Sequence, residues 1–119
     1  MFPNQGDLTV IDAEPHKVRE YGGYDKQLGN IRRPMIVLSN SKYNQLTGMV
    51  MGMLITSTNR QDPNFYKGFF DFVSKISGKI ILWQIPTYDF SARHGEIIGS
   101  VPASLLDDLL KRANYILSR

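Results

Sequence analysis

Three short polar patches in this chain sit where apolar runs begin or end, and they hold the side chains best suited to chemistry. Arg32-Arg33-Pro34 opens one run, Ile55-Thr56-Ser57 closes another, and Trp83-Gln84 lies just before a break at Pro86. In a small antiparallel sheet the start of one strand lies beside the end of its neighbour. Arg33 and Thr56 are therefore expected to meet at one end of the sheet. A guanidinium fork beside a hydroxyl suits a phosphodiester in charge and shape. Other chemistries find less support. The chain has no cysteine and only two histidines, His16 and His94, which excludes thiol catalysis, Cys-based zinc and a multi-histidine metal site. It has neither a Gly-x-Ser-x-Gly elbow nor a Gly-x-x-x-x-Gly-Lys phosphate loop. Asp89 and Glu96 could be read as paired carboxylates, but nothing in the sequence fixes their geometry. No metal and no cofactor are expected.

The elements that must position these residues follow from pattern. With 119 residues, 42% of them hydrophobic and 21% charged, one compact domain over 1–119 is expected. Strands are expected at 8–12, 34–38 (Pro34 at its first position), 49–56, 69–73, 79–85 and 96–101. Both faces of 49–56 are largely apolar, which makes it a central strand. Residues 14–32 hold Pro15, Gly22, Gly23, Gly29 and charges of both signs, and read as a long loop. Loops are also read at 39–44 and 57–64, a turn at 74–78, and one helical turn over 87–93. The last segment, 102–118, carries Leu105, Leu106, Leu109, Leu110, Ala113, Ile116 and Leu117 at helical spacing. Ser104 with Asp107 resembles a capping box at its start, and Lys111, Arg112 and Arg119 lie toward its C-terminal end. The strands stand too close together for crossover helices, so the sheet should be mainly antiparallel, a small curled barrel with one C-terminal helix.

Charge and location come next. Fourteen Lys and Arg against eleven Asp and Glu give a net charge of +3, which suits a polyanionic partner. The longest apolar stretch is short and contains Gly52, so no membrane span is expected. The start of the chain has no basic segment followed by an apolar run, so no signal peptide is expected and the cytoplasm is the default location.

The order and spacing of several pieces are similar to the MazF/PemK/Kid family of toxin–antitoxin endoribonuclease toxins. These are Gly6-Asp7-Leu8, Arg33-Pro34-Met35-Ile36-Val37-Leu38-Ser39, Tyr43-Asn44, Thr47-Gly48 and Leu54-Ile55-Thr56-Ser57. Gln84-Ile85-Pro86-Thr87-Tyr88-Asp89, Arg93 and Val101-Pro102 follow, so the resemblance spans about 6–117. It implies an SH3-like barrel (CcdB/MazF/PemK-like) with a C-terminal helix, usually a homodimer. It implies metal-independent cleavage of single-stranded RNA by 2′-hydroxyl attack, leaving a cyclic phosphate and a 5′-hydroxyl. The family's catalytic Arg falls on Arg33 and its catalytic Thr on Thr56. Arg32, Ser57, Gln84 and Arg93 are candidates to hold RNA. A cognate antitoxin (MazE/PemI-like), acidic and largely disordered until bound, is the implied protein partner. Two departures stand out: Pro86 replaces an Arg common in the family, and 14–32 is longer than usual.

Plainer readings stand beside these. Arg33 could be a surface cation, Thr56 an ordinary β-former, Gln84 a loop anchor. Trp83 reads as core or dimer interface before stacking platform, and Met49, Met51 and Met53 as sheet packing. His16 and His94 read as loop residues, and Tyr21 and Tyr24 as anchors of the long loop. A non-enzymatic CcdB-like toxin, or an SH3-like protein-binding module, is the competing function.

Overall fold

A computed structural model describes residues 1–13, 31–59 and 61–119. Within them seven strands form one antiparallel, curled half-barrel sheet: β1 (Asp7–Ala13), β2 (Ile31–Val37), β3 (Met49–Thr56), β4 (Tyr66–Phe70), β5 (Ser77–Ile81), β6 (Thr87–Asp89) and β7 (Glu96–Ser100). Two helices join them, α1 (Ser41–Thr47) and α2 (Ala103–Leu117). The strand order is β4-β5-β3-β2-β1-β7, with β6 paired to β3. The first strand thus lies against the last, Asp7 opposite Ser100.

β3 is the trunk of the sheet. It pairs with β2 over Gly52–Leu54, with β6 over Met49–Met51 and with β5 at Ile55 and Thr56. A strand with partners along its whole length needs apolar residues on both faces, and alternation sends them to two cores. Met53 and Ile55 join Leu8, Ile36, Leu38, Ile80 and Leu82 in one core, which α2 seals with Leu109 at its centre. Val50 and Leu54 join Ile11, Met35, Val37, Tyr88 and Phe90 in the other. Gly52 is required where it stands: a Cβ there would lie 2.1 Å from the Ile36 carbonyl oxygen. Of the β3 methionines, Met53 is fully buried in the first core, while Met49 and Met51 are partly buried. Among the described residues no helix is long and apolar enough to cross a membrane.

The structure corrects several expectations. β2 begins at Ile31, so Pro34 sits in mid-strand. Pairing of β2 with β3 starts only at Met35, and a strand without a partner on that side has a place for a residue lacking an N–H. Residues 31 and 32 belong to β2, and the rest of the expected 14–32 loop, with His16, Tyr21 and Tyr24, lies outside the described residues. Residues 41–44, read as loop, open α1. Asn40 caps it by accepting from the Tyr43 N–H at 2.8 Å, and Gly48, at φ 73°, ends it. β4 is Tyr66–Phe70 rather than 69–73, because Asp71 turns the chain by accepting from the Ser74 N–H and hydroxyl. β5 starts earlier and ends at Ile81. Thr87–Asp89 is a strand, not a helical turn, since β3 offers it an open edge. α2 is capped by Pro102 with no side-chain bond, so Ser104 caps nothing, and its last turn holds no basic residue. Trp83 is half exposed and not part of the core.

Candidate functional site

The register of the trunk strand builds the site. Met35 pairs with Leu54, and continuing that antiparallel register two residues outward sets Arg33 opposite Thr56. Their side chains meet there: Arg33 Nη1 donates to Thr56 Oγ1 at 3.3 Å. Thr56 is buried and Arg33 half buried, so the pair lies at the rim of the second core. Two more contacts reach the Thr56 hydroxyl. The Thr58 N–H donates to it, and it donates to Thr58 Oγ1, each at 3.3 Å. These contacts are long for hydrogen bonds of their kind. They orient the hydroxyl while leaving it open to exchange partners with an incoming oxygen.

The backbone behind Thr56 is fixed by a close approach. Thr56 pairs with Lys79, and a Cβ on neighbouring Gly78 would lie 2.5 Å from the Thr56 carbonyl oxygen. Only glycine lets β5 run that near. Lys79 in turn pairs with Gly68 on β4. Directly paired residues share a face, so one row crosses the sheet: Ile11, Arg33, Thr56, Lys79, Gly68.

Arg32 points the other way, as alternation requires. Its guanidinium donates to Asp12 Oδ1, Glu96 Oε1 and the His94 carbonyl, each at 2.8 Å. His94 Nδ1 lies 2.8 Å from Asp12 Oδ2. The bond from Arg32, then that from His94, holds the Asp12 carboxyl below its ordinary range, and Asp12 pushes the Arg32 guanidinium further up. His94 is thus a hydrogen-bonded loop residue at φ 55°. Ser57 is exposed and follows Thr56 directly; Gln84 is exposed beyond the end of β5. Arg93 lies over the Tyr88 ring, 5.4 Å from its centroid, on the second core, and its carbonyl accepts from the Asp12 N–H at 2.9 Å. The structure therefore brings Arg33 and Thr56 into contact and sets Arg32 apart from them.

Sequence reasoning missed Thr58, Gly78 and Lys79. Thr58 had a local signal, a hydroxyl two residues after another. Gly78 and Lys79 had none, since their importance depends on which strand lies against β3. Among the described residues no group of three or more metal-ligating side chains is gathered.

Comparison with known proteins identifies the family and the fold. The family model described as PemK-like, MazF-like toxin of type II toxin–antitoxin systems matches residues 4–117. MazF from Deinococcus radiodurans superposes with a TM-score of 0.76 at 23% identity, covering 98% of this chain and 97% of that one. A MazE–MazF complex from the same organism gives 0.75 at 24%, covering 97% and 95%. An endoribonuclease in complex with its cognate antitoxin from a mycobacterial species gives 0.68 at 19%, covering 97% and 94%. These likenesses establish a shared fold. No curated protein matched the chain.

Proposed function

The chain belongs to the PemK-like, MazF-like toxins of type II toxin–antitoxin systems, and from that premise we propose that it is a metal-independent endoribonuclease cutting single-stranded RNA at preferred sequences and so halting growth. The observation that carries the reading is the Arg33–Thr56 contact, an arginine and a hydroxyl held together at the rim of a core.

In this mechanism the 2′-hydroxyl oxygen attacks the adjacent phosphorus, and the phosphorus–O5′ bond breaks. The products are a cyclic phosphate and a 5′-hydroxyl. The proton lost from the 2′-hydroxyl and the proton gained by the 5′-oxygen balance through solvent. Arg33 is too basic to act as the base. Its guanidinium donates to the non-bridging oxygens, where charge builds in the transition state, and eases departure of the 5′-oxygen. Thr56 orients the reacting ribose and phosphate rather than taking a proton. Ser57, Gln84 and Arg93 hold flanking phosphate or base edges. Arg32, its guanidinium engaged by Asp12, Glu96 and His94, braces β1 against β2 and the β6–β7 turn.

A cognate antitoxin with acidic and apolar residues would inhibit by laying a carboxylate on Arg33. The neighbours described as antitoxin complexes support such a partner, and a homodimer is the expected assembly. The test is incubation of the purified protein with mixed single-stranded RNAs in EDTA, followed by sequencing of the ends. Discrete cuts bearing 5′-hydroxyls are expected. Dependence on Mg²⁺, 5′-phosphate ends, or equal cleavage of duplex RNA would overturn the reading.

A further inference from the structure

The row through Arg33 and Thr56 does not stop at Thr56. Lys79 stands directly opposite it on β5, on the same face, and makes no ion pair among the described residues. The next position across is Gly68, and a Cβ there would lie 4.0 Å from Lys79 Nζ. The ammonium therefore lies out over β4, above a residue with no side chain to obstruct it. Two strand spacings separate Gly68 from Thr56, roughly 10 Å. That is too far to share the phosphate held at Arg33, and suits a neighbouring phosphate on the same strand.

Further along the same two strands an open groove begins. Tyr66, two residues before Gly68, pairs with Ile81 and shares the face of Lys79. Tyr66, Phe65 and Trp83, with Gln61 and Asp62 at the edge, line a groove of about 540 Å³. Phe65 and Trp83 are each 49% exposed, so both rings offer open faces. Tyr66 is about 7 Å from Gly68 along the strand, the reach of one nucleotide from phosphate to base.

We propose that this part of β4 and β5 is a nucleotide subsite flanking the scissile bond, with Lys79 on the phosphate and the base stacked in the Trp83–Tyr66–Phe65 groove. The inference rests on the ribonuclease reading and extends it to residues no motif marks. Two features favour RNA over a protein as the occupant. One groove residue, Tyr66, shares the face of Lys79 and so of the Arg33–Thr56 row, and the lining offers aromatic faces with amide and carboxylate groups able to meet a base edge. Lys79 also supplies a cation to a chain in which Pro86 stands where the resemblance expects an Arg.

The experiment uses the full chain and an RNA carrying the sequence that the EDTA digestion identifies, with a 2′-deoxy sugar at the cut. Fluorescence anisotropy is read between about 50 and 200 mM salt. Lys79→Ala should weaken binding and lower the salt slope by about 0.7, one phosphate's worth on a single strand. Trp83→Ala should weaken binding about 5- to 150-fold, the range for one base–aromatic stack, with little change in salt slope. Trp83→Phe should recover most of that loss. On cleavable RNA both losses should fall mainly on KM. Cleavage by the wild type with unchanged affinity and slope in both alanine variants would overturn the subsite and leave the ribonuclease standing. Loss of self-association in Trp83→Ala, with RNA affinity intact, would assign the groove to a second copy and overturn it too. A wild type that neither binds nor cuts RNA would overturn both readings.

Discussion

Arg32 and Arg33 are neighbours in sequence with opposite fates. Arg32 donates to Asp12, Glu96 and His94 at 2.8 Å each and ties three chain segments together. Arg33 makes one long contact, to Thr56 at 3.3 Å, at the rim of a core. Strand alternation alone separates them. A cation whose donors are saturated by short, charge-assisted bonds is structural; one held loosely beside a hydroxyl keeps donors for a substrate. The identity of the residue therefore says less about its role than the number of partners waiting on its face.

The strongest way to break this contrast is to remove each arginine. Arg33→Ala should cut the cleavage rate about 100- to 1000-fold, as loss of an oriented donor to developing charge does. Its melting temperature should barely move, and Thr56→Ala should behave alike. Single-turnover cleavage beside circular dichroism melts checks both. If Arg33→Ala still cuts within about twofold while folded, the pair is not the site.

Next in size is Gly78→Ala. Its Cβ would lie 2.5 Å from the Thr56 carbonyl oxygen, so β5 or Thr56 must shift. A misplacement of about 1 Å can cost on the order of 100-fold in rate. The loss should appear in kcat, with the fold retained. Gly99→Ala is the control, because a Cβ there meets nothing within 4 Å.

Arg32→Ala should give the mirror image of Arg33→Ala: cleavage within a few-fold, but lower stability. The expected loss is on the order of 1 kcal/mol, since the pair to Glu96 is largely exposed and salt weakens it. Chemical denaturation at low and high salt measures it.

The smallest effect is the pH response of the same network. Because the folded Asp12 carboxyl lies below its ordinary range, its stabilisation is full above the ordinary value of about 3.9 and is lost as pH falls through the lower folded value. Melts from neutral to acid pH should show that loss in the wild type. Asp12→Asn should lack the contribution already at neutral pH and decline less steeply in acid.

Much of this was legible in the residues. The apolar pattern located β1, β3, β7 and α2, because long or strongly periodic segments report the face they bury. Arg33 beside Thr56 was legible too, since both flank a central strand whose neighbour had to be antiparallel. What failed was local and short. α1 has seven residues and no apolar stripe, although Asn40 and Gly48 mark its ends. β6 has three residues and exists because β3 offers an open edge. The partners of Arg32 needed a register, and the place of Lys79 needed a strand order in which β5 reaches β3 before β4 does.

The pairing of β1 with β7 also bears on when during its synthesis such a protein becomes active. Synthesis runs from β1 to α2, and at roughly 5–20 residues per second it needs on the order of ten seconds for a chain of this length. During most of that time β1 has no partner on its outer edge, and the core around Leu8 and Leu109 has no lid. Arg33 and Thr56 are both present long before the core that supports the β2–β3 pair is complete. A nascent or prematurely ended chain is thus expected to be inactive, with activity deferred to the moment its last elements dock.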